Sequence, residues 1–252
     1  MILGAQLYTV RNYTQTEKDL DYTLGQIAKI GYTTVQISAI GPTIKPGVIR
    51  KLCDNYGLKI VLTHSDANRI LNDTEQLIED HRVLGCELIG LGSMPDKYRN
   101  PEWIEHFTAD YKEAAIAIKN AGMQFMYHNH NFEFEKVKGK YYMEYLMEGF
   151  HPEELGFTLD TYWLQAAGLD VCQWIERLNN RIPCVHLKDM AMLRHEAVMA
   201  PVLEGNMNFE KILETLADSN CKYLLVEQDI CQESPFECLR KSYQNLTELG
   251  CR

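Results

Sequence analysis

The sequence predicts an α/β protein of the (β/α)8 TIM-barrel class, on three observations. Its 252 residues match the length of a barrel closed as one domain, about 250 residues. Short apolar runs alternate with stretches of helical period, as when parallel strands are covered by helices. Eight such units can be counted, and eight favour closure over an open doubly wound sheet.

The strands are expected at Ile2–Leu7, Thr34–Ile37, Lys59–Thr63, Leu88–Gly92, Gln124–His128, Leu155–Leu159, Ile182–Leu187 and Tyr223–Glu227. They recur about every 30 residues, the spacing of a repeated βα unit. Between them lie amphipathic segments such as Leu20–Ile30, where Leu20, Leu24 and Ile27 share one helical face. Several of these segments end in glycine just before the next strand, at Gly31, Gly57, Gly85 and Gly122, which suits left-handed C-caps. Nothing rich in Pro, Gly or Ser marks an internal boundary, so residues 1–252 are read as a single barrel domain. After the first strand, Leu7-Tyr8-Thr9-Val10-Arg11-Asn12 lacks the glycines of a dinucleotide-binding turn.

Composition narrows the partners. Hydrophobic residues make up 46% and charged residues 24%, ordinary values for a protein with a sizeable core. A formal charge of −10 opposes a phosphate backbone or an anionic bilayer, so neither nucleic acid nor membrane is expected as a partner. No apolar run approaches the ~20 residues of a spanning helix. Met1-Ile2-Leu3-Gly4 enters a structural element too early for a signal peptide, and a cytoplasmic protein is expected. The eight cysteines contain no CxxC pair and are read as reduced packing residues.

In parallel barrels the site is assembled after the strands, which gives weight to polar residues there. Strand one ends near Gln6, Tyr8 and Arg11, and strand three at His64-Ser65-Asp66. Strand five runs into His128-Asn129-His130-Asn131-Phe132-Glu133, strand six into Asp160-Thr161, strand seven into His186-Leu187-Lys188-Asp189, and strand eight into Glu227-Gln228-Asp229. His128 or Glu133, Asp160, His186 and Glu227 would then face a common space. Carboxylate and imidazole suit a divalent cation such as Mn²⁺, Mg²⁺, Co²⁺ or Zn²⁺, and a neighbouring carboxylate can move a proton. Taken singly, Asp160 or Glu227 reads as well as a helix cap or an ordinary ion pair, and His186 as a core histidine; their joint occurrence at successive strand ends favours a site. His64 suits a substrate contact or a supporting position. Of His128 and His130, one is expected to reach the metal. Trp163 could stack on the apolar face of a sugar. His81, His106, His151 and His195 are expected at the surface.

These residues resemble the sugar phosphate isomerase/epimerase superfamily, the xylose-isomerase-like barrels that include inosose dehydratase and ketose 3-epimerases. The resemblance covers essentially the whole chain. It is most specific at Tyr127-His128-Asn129-His130-Asn131-Phe132-Glu133-Phe134, Leu159-Asp160-Thr161-Tyr162-Trp163, Val185-His186-Leu187-Lys188-Asp189 and Val226-Glu227-Gln228-Asp229. It implies a divalent metal held by Glu, Asp, His and Glu, of which Asp160, His186 and Glu227 match. The first Glu is replaced by His128, and the next carboxylate is Glu133. That departure weighs against symmetric epimerisation by two glutamates. By the same resemblance, Glu204-Gly205-Asn206 corresponds to a Gly-rich stretch that closes over substrate, with Glu204 a substrate contact.

The expected function is a metal-dependent isomerase or epimerase of a small sugar, keto-sugar or inositol derivative. Glu227 and His128 or Glu133 would share the proton transfer, and Lys188 would contact the substrate and steady an oxyanion or, if present, a phosphate. Dehydration of a keto-sugar or keto-inositol begins with the same proton abstraction and is the nearest alternative. An apurinic endonuclease on the same barrel is opposed by the charge. A non-catalytic sugar-binding barrel or partner subunit is the reading from another class, and a homo-oligomer is compatible with all of them.

Overall fold

The computed structural model describes residues 1–251. Eight parallel strands close a barrel: β1 (Ile2–Gln6), β2 (Thr34–Ile37), β3 (Lys59–Ser65), β4 (Leu88–Leu91), β5 (Gln124–His128), β6 (Leu155–Asp160), β7 (Cys184–Leu187) and β8 (Tyr223–Val226), with β8 paired back on β1. All eight expected strands are present, and their ends move for local reasons. β1 stops at Gln6, whose side-chain Oε1 accepts the Tyr8 N–H at 2.8 Å and starts a 3-10 turn over Leu7–Tyr13. β7 begins at Cys184 rather than Ile182, because the intervening Pro183 has no N–H to donate. β3 continues to Ser65, since Thr63, His64 and Ser65 pair with Ile89, Gly90 and Leu91.

Strand alternation divides the core. One parity packs outward under the helices, with Ala5, Val35, Ile89, Phe125, Tyr127, Phe157, Leu159, Val185 and Leu224 all buried in the main cluster. The other parity fills the barrel axis with a small plug that includes Leu62, Met126, Cys184, Tyr223 and Leu225. Each large apolar chain so buried contributes roughly 1.5–3 kcal/mol. Gly156 sits on this inner parity because a Cβ there would lie 2.7 Å from Met126 Sδ.

The helices follow their predicted faces. Glu17–Ile30 is capped by Thr16, whose hydroxyl accepts the Asp19 N–H at 3.1 Å, and buries Leu20, Leu24 and Ile27. Thr74–Leu84 ends at Gly85 in the left-handed region, φ 66°. Two antiparallel hairpins were not foreseen: Lys136–Val137 with Lys140–Tyr141, and Asp189–Leu193 with Glu196–Ala200. The second turns through Arg194 and His195, both at positive φ, positions where Asn or Gly would have signalled a hairpin.

His81 corrects the surface expectation. It is buried, with Nε2 2.8 Å from Thr63 Oγ1 and Nδ1 donating to Leu77 O at 2.7 Å. His106, His151 and His195 are exposed as expected. All eight cysteines are free. Among the described residues no helix is long and apolar enough to cross a membrane.

Candidate active site

The site is the next layer above the plug. Along each inward-facing parity, Leu62 is followed by His64, Met126 by His128, Cys184 by His186, and Leu225 by Glu227. A two-residue step keeps the same face of a strand, so apolar floor and polar site are successive rungs of one ladder. Asp160 joins them because it pairs in register with His186. His128, Asp160, His186 and Glu227 are all buried, and each offers a ligand atom within 4.8 Å of the others.

The two histidines are oriented from behind. His128 Nδ1 donates to Gly92 O at 2.9 Å, which leaves Nε2 bare and 3.2 Å from Asp160 Oδ2. His186 Nε2 donates to Gln36 Oε1 at 2.6 Å. Its bare Nδ1 lies 3.0 Å from Glu227 Oε2 and 3.8 Å from Asp160 Oδ2. Lone pairs of imidazole and carboxylate facing each other repel unless a proton or a metal lies between them, and a histidine with its second nitrogen fixed by an oxygen acceptor is the usual support of a metal ligand. His186 Nδ1 is buried with no hydrogen-bond partner. The donor set therefore fits a divalent cation.

Asp160 divides its oxygens between two tasks. Oδ1 accepts the Trp163 N–H at 3.0 Å and caps the helix Thr161–Ala166, while Oδ2 faces the cluster. The cap reading holds for Oδ1, and Oδ2 lies among the clustered side chains.

Lys188 supplies the fixed positive charge. It is 1% exposed, and its Nζ lies 2.8 Å from Glu227 Oε2, 3.0 Å from Asp160 Oδ2 and 3.1 Å from Asp229. Burial alone would favour the neutral amine, but the three carboxylates overrule it and raise the Lys188 pKa. Burial likewise pushes against ionised Asp160 and Glu227, yet the ammonium and the neighbouring histidines hold both carboxyls well below their usual range. Asp229 goes the other way, raised by burial and then by the charge of Glu227.

Above this cluster opens a cavity of about 510 Å³, lined in part by His64, His128, His130, Trp163, Lys188 and Glu227. His64 Nε2, His130 Nδ1 and Trp163 Nε1 are buried without partners. Burial, then the neighbouring imidazoles, keeps His64 well below its ordinary pKa, and the same causes push His130 down to about 3. Both rings are therefore neutral groups near pH 7.

Two expected site residues are not brought here. Glu133 is fully buried beside the site, accepting Tyr127 OH at 2.6 Å and the His130 N–H at 2.8 Å. Its carboxyl braces the loop after β5, and His128 rather than Glu133 stands with Asp160, His186 and Glu227. Burial raises Glu133 to about 7. Glu204 lies outside the cavity, 3.8 Å from Lys241. Nor is its segment a free flap: Asp189 accepts the N–H groups of Leu203, Gly205 and Met207 and pins it down. A Cβ on Gly205 would lie 2.4 Å from Asp189 Oδ1, which explains that glycine.

Sequence reasoning gave no role to Gln36, Asn129 or Asp229. Gln36 orients His186, Asn129 Oδ1 accepts the Asp160 N–H at 2.9 Å, and Asp229 completes the Lys188 cage. The signal for Gln36 was an amide inside the apolar run Thr34–Ile37.

Residues 24–247 match the family described as xylose isomerase-like TIM barrel. The chain belongs to that family. It is 28% identical over 217 residues to an inosose dehydratase of Clostridium perfringens, covering 79% of this chain and 68% of that protein. Among solved structures it is similar to a sugar phosphate isomerase/epimerase from Parabacteroides distasonis, at TM-score 0.83 and 24% identity, over 98% of this chain and 94% of that one. It is also similar to an L-ribulose 3-epimerase, at TM-score 0.75 and 16% identity, over 99% and 94% of the two chains. At these identities the structural likenesses speak for the fold.

Proposed function

We propose that this xylose isomerase-like barrel, read as one domain over residues 1–252 and working in the cytoplasm, is a divalent-metal-dependent isomerase or epimerase of a small sugar, keto-sugar or inositol derivative. One observation carries the reading. Two buried imidazoles, each locked from behind, aim bare nitrogens at Asp160 and Glu227 beside the Lys188 ammonium, at the floor of a ligand-sized cavity. His128, Asp160, His186 and Glu227 would hold the metal, which when bound supplies a Lewis acid that polarises a carbonyl oxygen.

The chain's own groups take the remaining roles. Glu227 faces the cavity and is the carboxylate that takes a proton from the carbon next to the carbonyl and delivers it to the former carbonyl carbon in isomerisation, or to the same carbon after the enediol has turned its other face in epimerisation. Lys188 neutralises charge developing on oxygen. Neutral His64 and His130 offer unpartnered ring nitrogens to sugar hydroxyls, and the Trp163 ring faces the sugar's apolar side. His128 is tied to Gly92 O and stands where a second carboxylate base would be needed, so the reaction is read as one-base.

Dehydration of a keto-sugar or keto-inositol is the second reading, favoured by the similarity to inosose dehydratase over 79% of the chain. Both readings predict solvent deuterium at the carbon next to the carbonyl. The test incubates protein of measured metal content in D2O with panels of ketoses, aldoses and keto-inositols, followed by NMR and mass spectrometry. Wild type should exchange, and Glu227→Gln should slow exchange by about 10²–10⁴-fold. Loss of one water from the product would select the dehydratase. Exchange at the wild-type rate in Glu227→Gln, with no exchange lost, would sink both.

A further inference from the structure

The oxygens that suit a metal are also held by a cation of the chain's own. Asp160 Oδ2 lies 3.2 Å from the bare His128 Nε2, and Glu227 Oε2 lies 3.0 Å from the bare His186 Nδ1, so these are the two oxygens a divalent cation would take. The same two atoms hold Lys188 Nζ, at 3.0 and 2.8 Å. A carboxylate oxygen that serves an ammonium and a metal together brings two like charges close to each other.

Lys188 has little room to withdraw. Its N–H donates to Thr161 Oγ1 at 3.0 Å, and that hydroxyl donates to Lys188 O at 2.8 Å, so both polar groups of its backbone are fixed. The residue is 1% exposed, and an ammonium buried to that degree needs a carboxylate partner.

Asp229 is the partner that stands outside the candidate ligand set. Both its oxygens accept Lys188 Nζ at 3.1 Å, while the donor atoms that cluster within 4.8 Å belong to His128, Asp160, His186 and Glu227. Its side chain is 20% exposed, the most of the three carboxylates on Lys188. Arg11 Nη2 donates to Asp229 O at 3.1 Å and ties the residue in place. The charges agree with this arrangement. Three carboxylates around one ammonium leave two negative charges, which match a divalent cation. With Asp229 neutralised, the same cation would leave the buried site positive.

We propose that Lys188 competes with the divalent cation for Asp160 Oδ2 and Glu227 Oε2, and that Asp229 is the partner that keeps the ammonium when the cation takes them. Lys188 then sets how tightly the site holds metal, and Asp229 supports metal binding through Lys188 without being a ligand. The inference rests on the metal reading of the site, and its test separates the two.

Mn²⁺ and Zn²⁺ are each titrated into chelator-treated protein by calorimetry and equilibrium dialysis. Lys188→Met should bind metal about tenfold or more tightly than wild type, through loss of one like charge beside it. Lys188→Gln, which keeps a polar end, should shift affinity in the same direction and serves if the methionine variant does not fold. Asp229→Asn, at the most exposed of the three carboxylates, should weaken metal binding by about 10–100-fold, as loss of a residue behind the ligands does. Asp229→Glu should restore most of that loss. The deciding measurement is Asp229→Asn in the Lys188→Met background. A partner of the ammonium matters little once the ammonium is gone, whereas a carboxylate that attracts the metal directly is missed equally in both backgrounds. Equal losses in the two backgrounds, unchanged affinity in Asp229→Asn, or weaker binding in both lysine variants would overturn the inference and leave the metal site standing. Wild type that binds neither metal would overturn both.

Discussion

The two halves of the barrel mouth carry different chemistry on the same scaffold. β5 to β8 and their loops contribute His128, Asp160, His186, Lys188, Glu227 and Asp229, a dense set of charges that one buried ammonium and the imidazoles hold together. β1 to β3 contribute Gln6, Gln36, Ser38 and His64, all uncharged, and Ser38 and Gln6 approach His64 Nδ1 at 3.2 and 3.4 Å. Both halves are built of parallel strands, with one register shift in the β2–β3 pair between Val35 and Gln36, so strand direction does not cause the difference. It lies in which residue stands one rung above the apolar plug. The comparison teaches a division of labour: one half gathers buried charge, while the other orients its neighbours with uncharged side chains.

The largest effect should come from breaking the charged half at its centre. Asp160→Ala removes the helix cap and the oxygen that Lys188 and His128 share, leaving a buried ammonium under-compensated. A loss of about 3–5 kcal/mol is expected in denaturant unfolding, together with loss of bound metal. A variant as stable as wild type would mean that the charges do not support one another as described.

Glu133 asks whether every acid in that half belongs to the site. Its folded pKa, about 7, lies above the usual value of 4.5. Its contribution to stability is therefore present below pH ~4.5 and is lost as pH rises through ~7, by up to about 3 kcal/mol. Stability measured from pH 5 to 8 should show this loss in wild type, and Glu133→Gln should flatten that part of the slope, whatever constant cost the amide adds. An unchanged slope would remove Glu133 from the account.

The neutral half is sharpened by Gln36→Leu, which takes away the acceptor that fixes His186. Metal affinity should fall by about 10–100-fold by equilibrium dialysis, with the ligands themselves untouched. Smallest of all, Glu204→Gln should change stability by no more than about 0.5 kcal/mol and leave sugar binding as it was, because Glu204 reaches Lys241 and not the cavity.

The candidate site was legible wherever a polar residue interrupted an apolar run at a strand end. Asp160, His186 and Glu227 stood out that way, as did His64 and Lys188. Glu133 was misleading because a one-dimensional reading counts carboxylates near a strand end but not their direction. The 3-10 turn Phe132–Phe134 swings it back onto Tyr127 OH. Glu204 misled for a related reason: its neighbours are anchored by Asp189, a contact between a strand end and a loop about 15 residues on.

By itself, the sequence determined the eightfold alternation, the apolar plug with its polar rung above, and the identity of most donors, because a period of two and a period near 3.6 are local properties of the chain. Only the tertiary structure decided which atom of each donor faces inward, that Gln36 on β2 orients His186 on β7, and that three carboxylates share one ammonium. Those facts depend on barrel closure, which sets residues far apart in sequence at hydrogen-bond distance, and no local pattern encodes them.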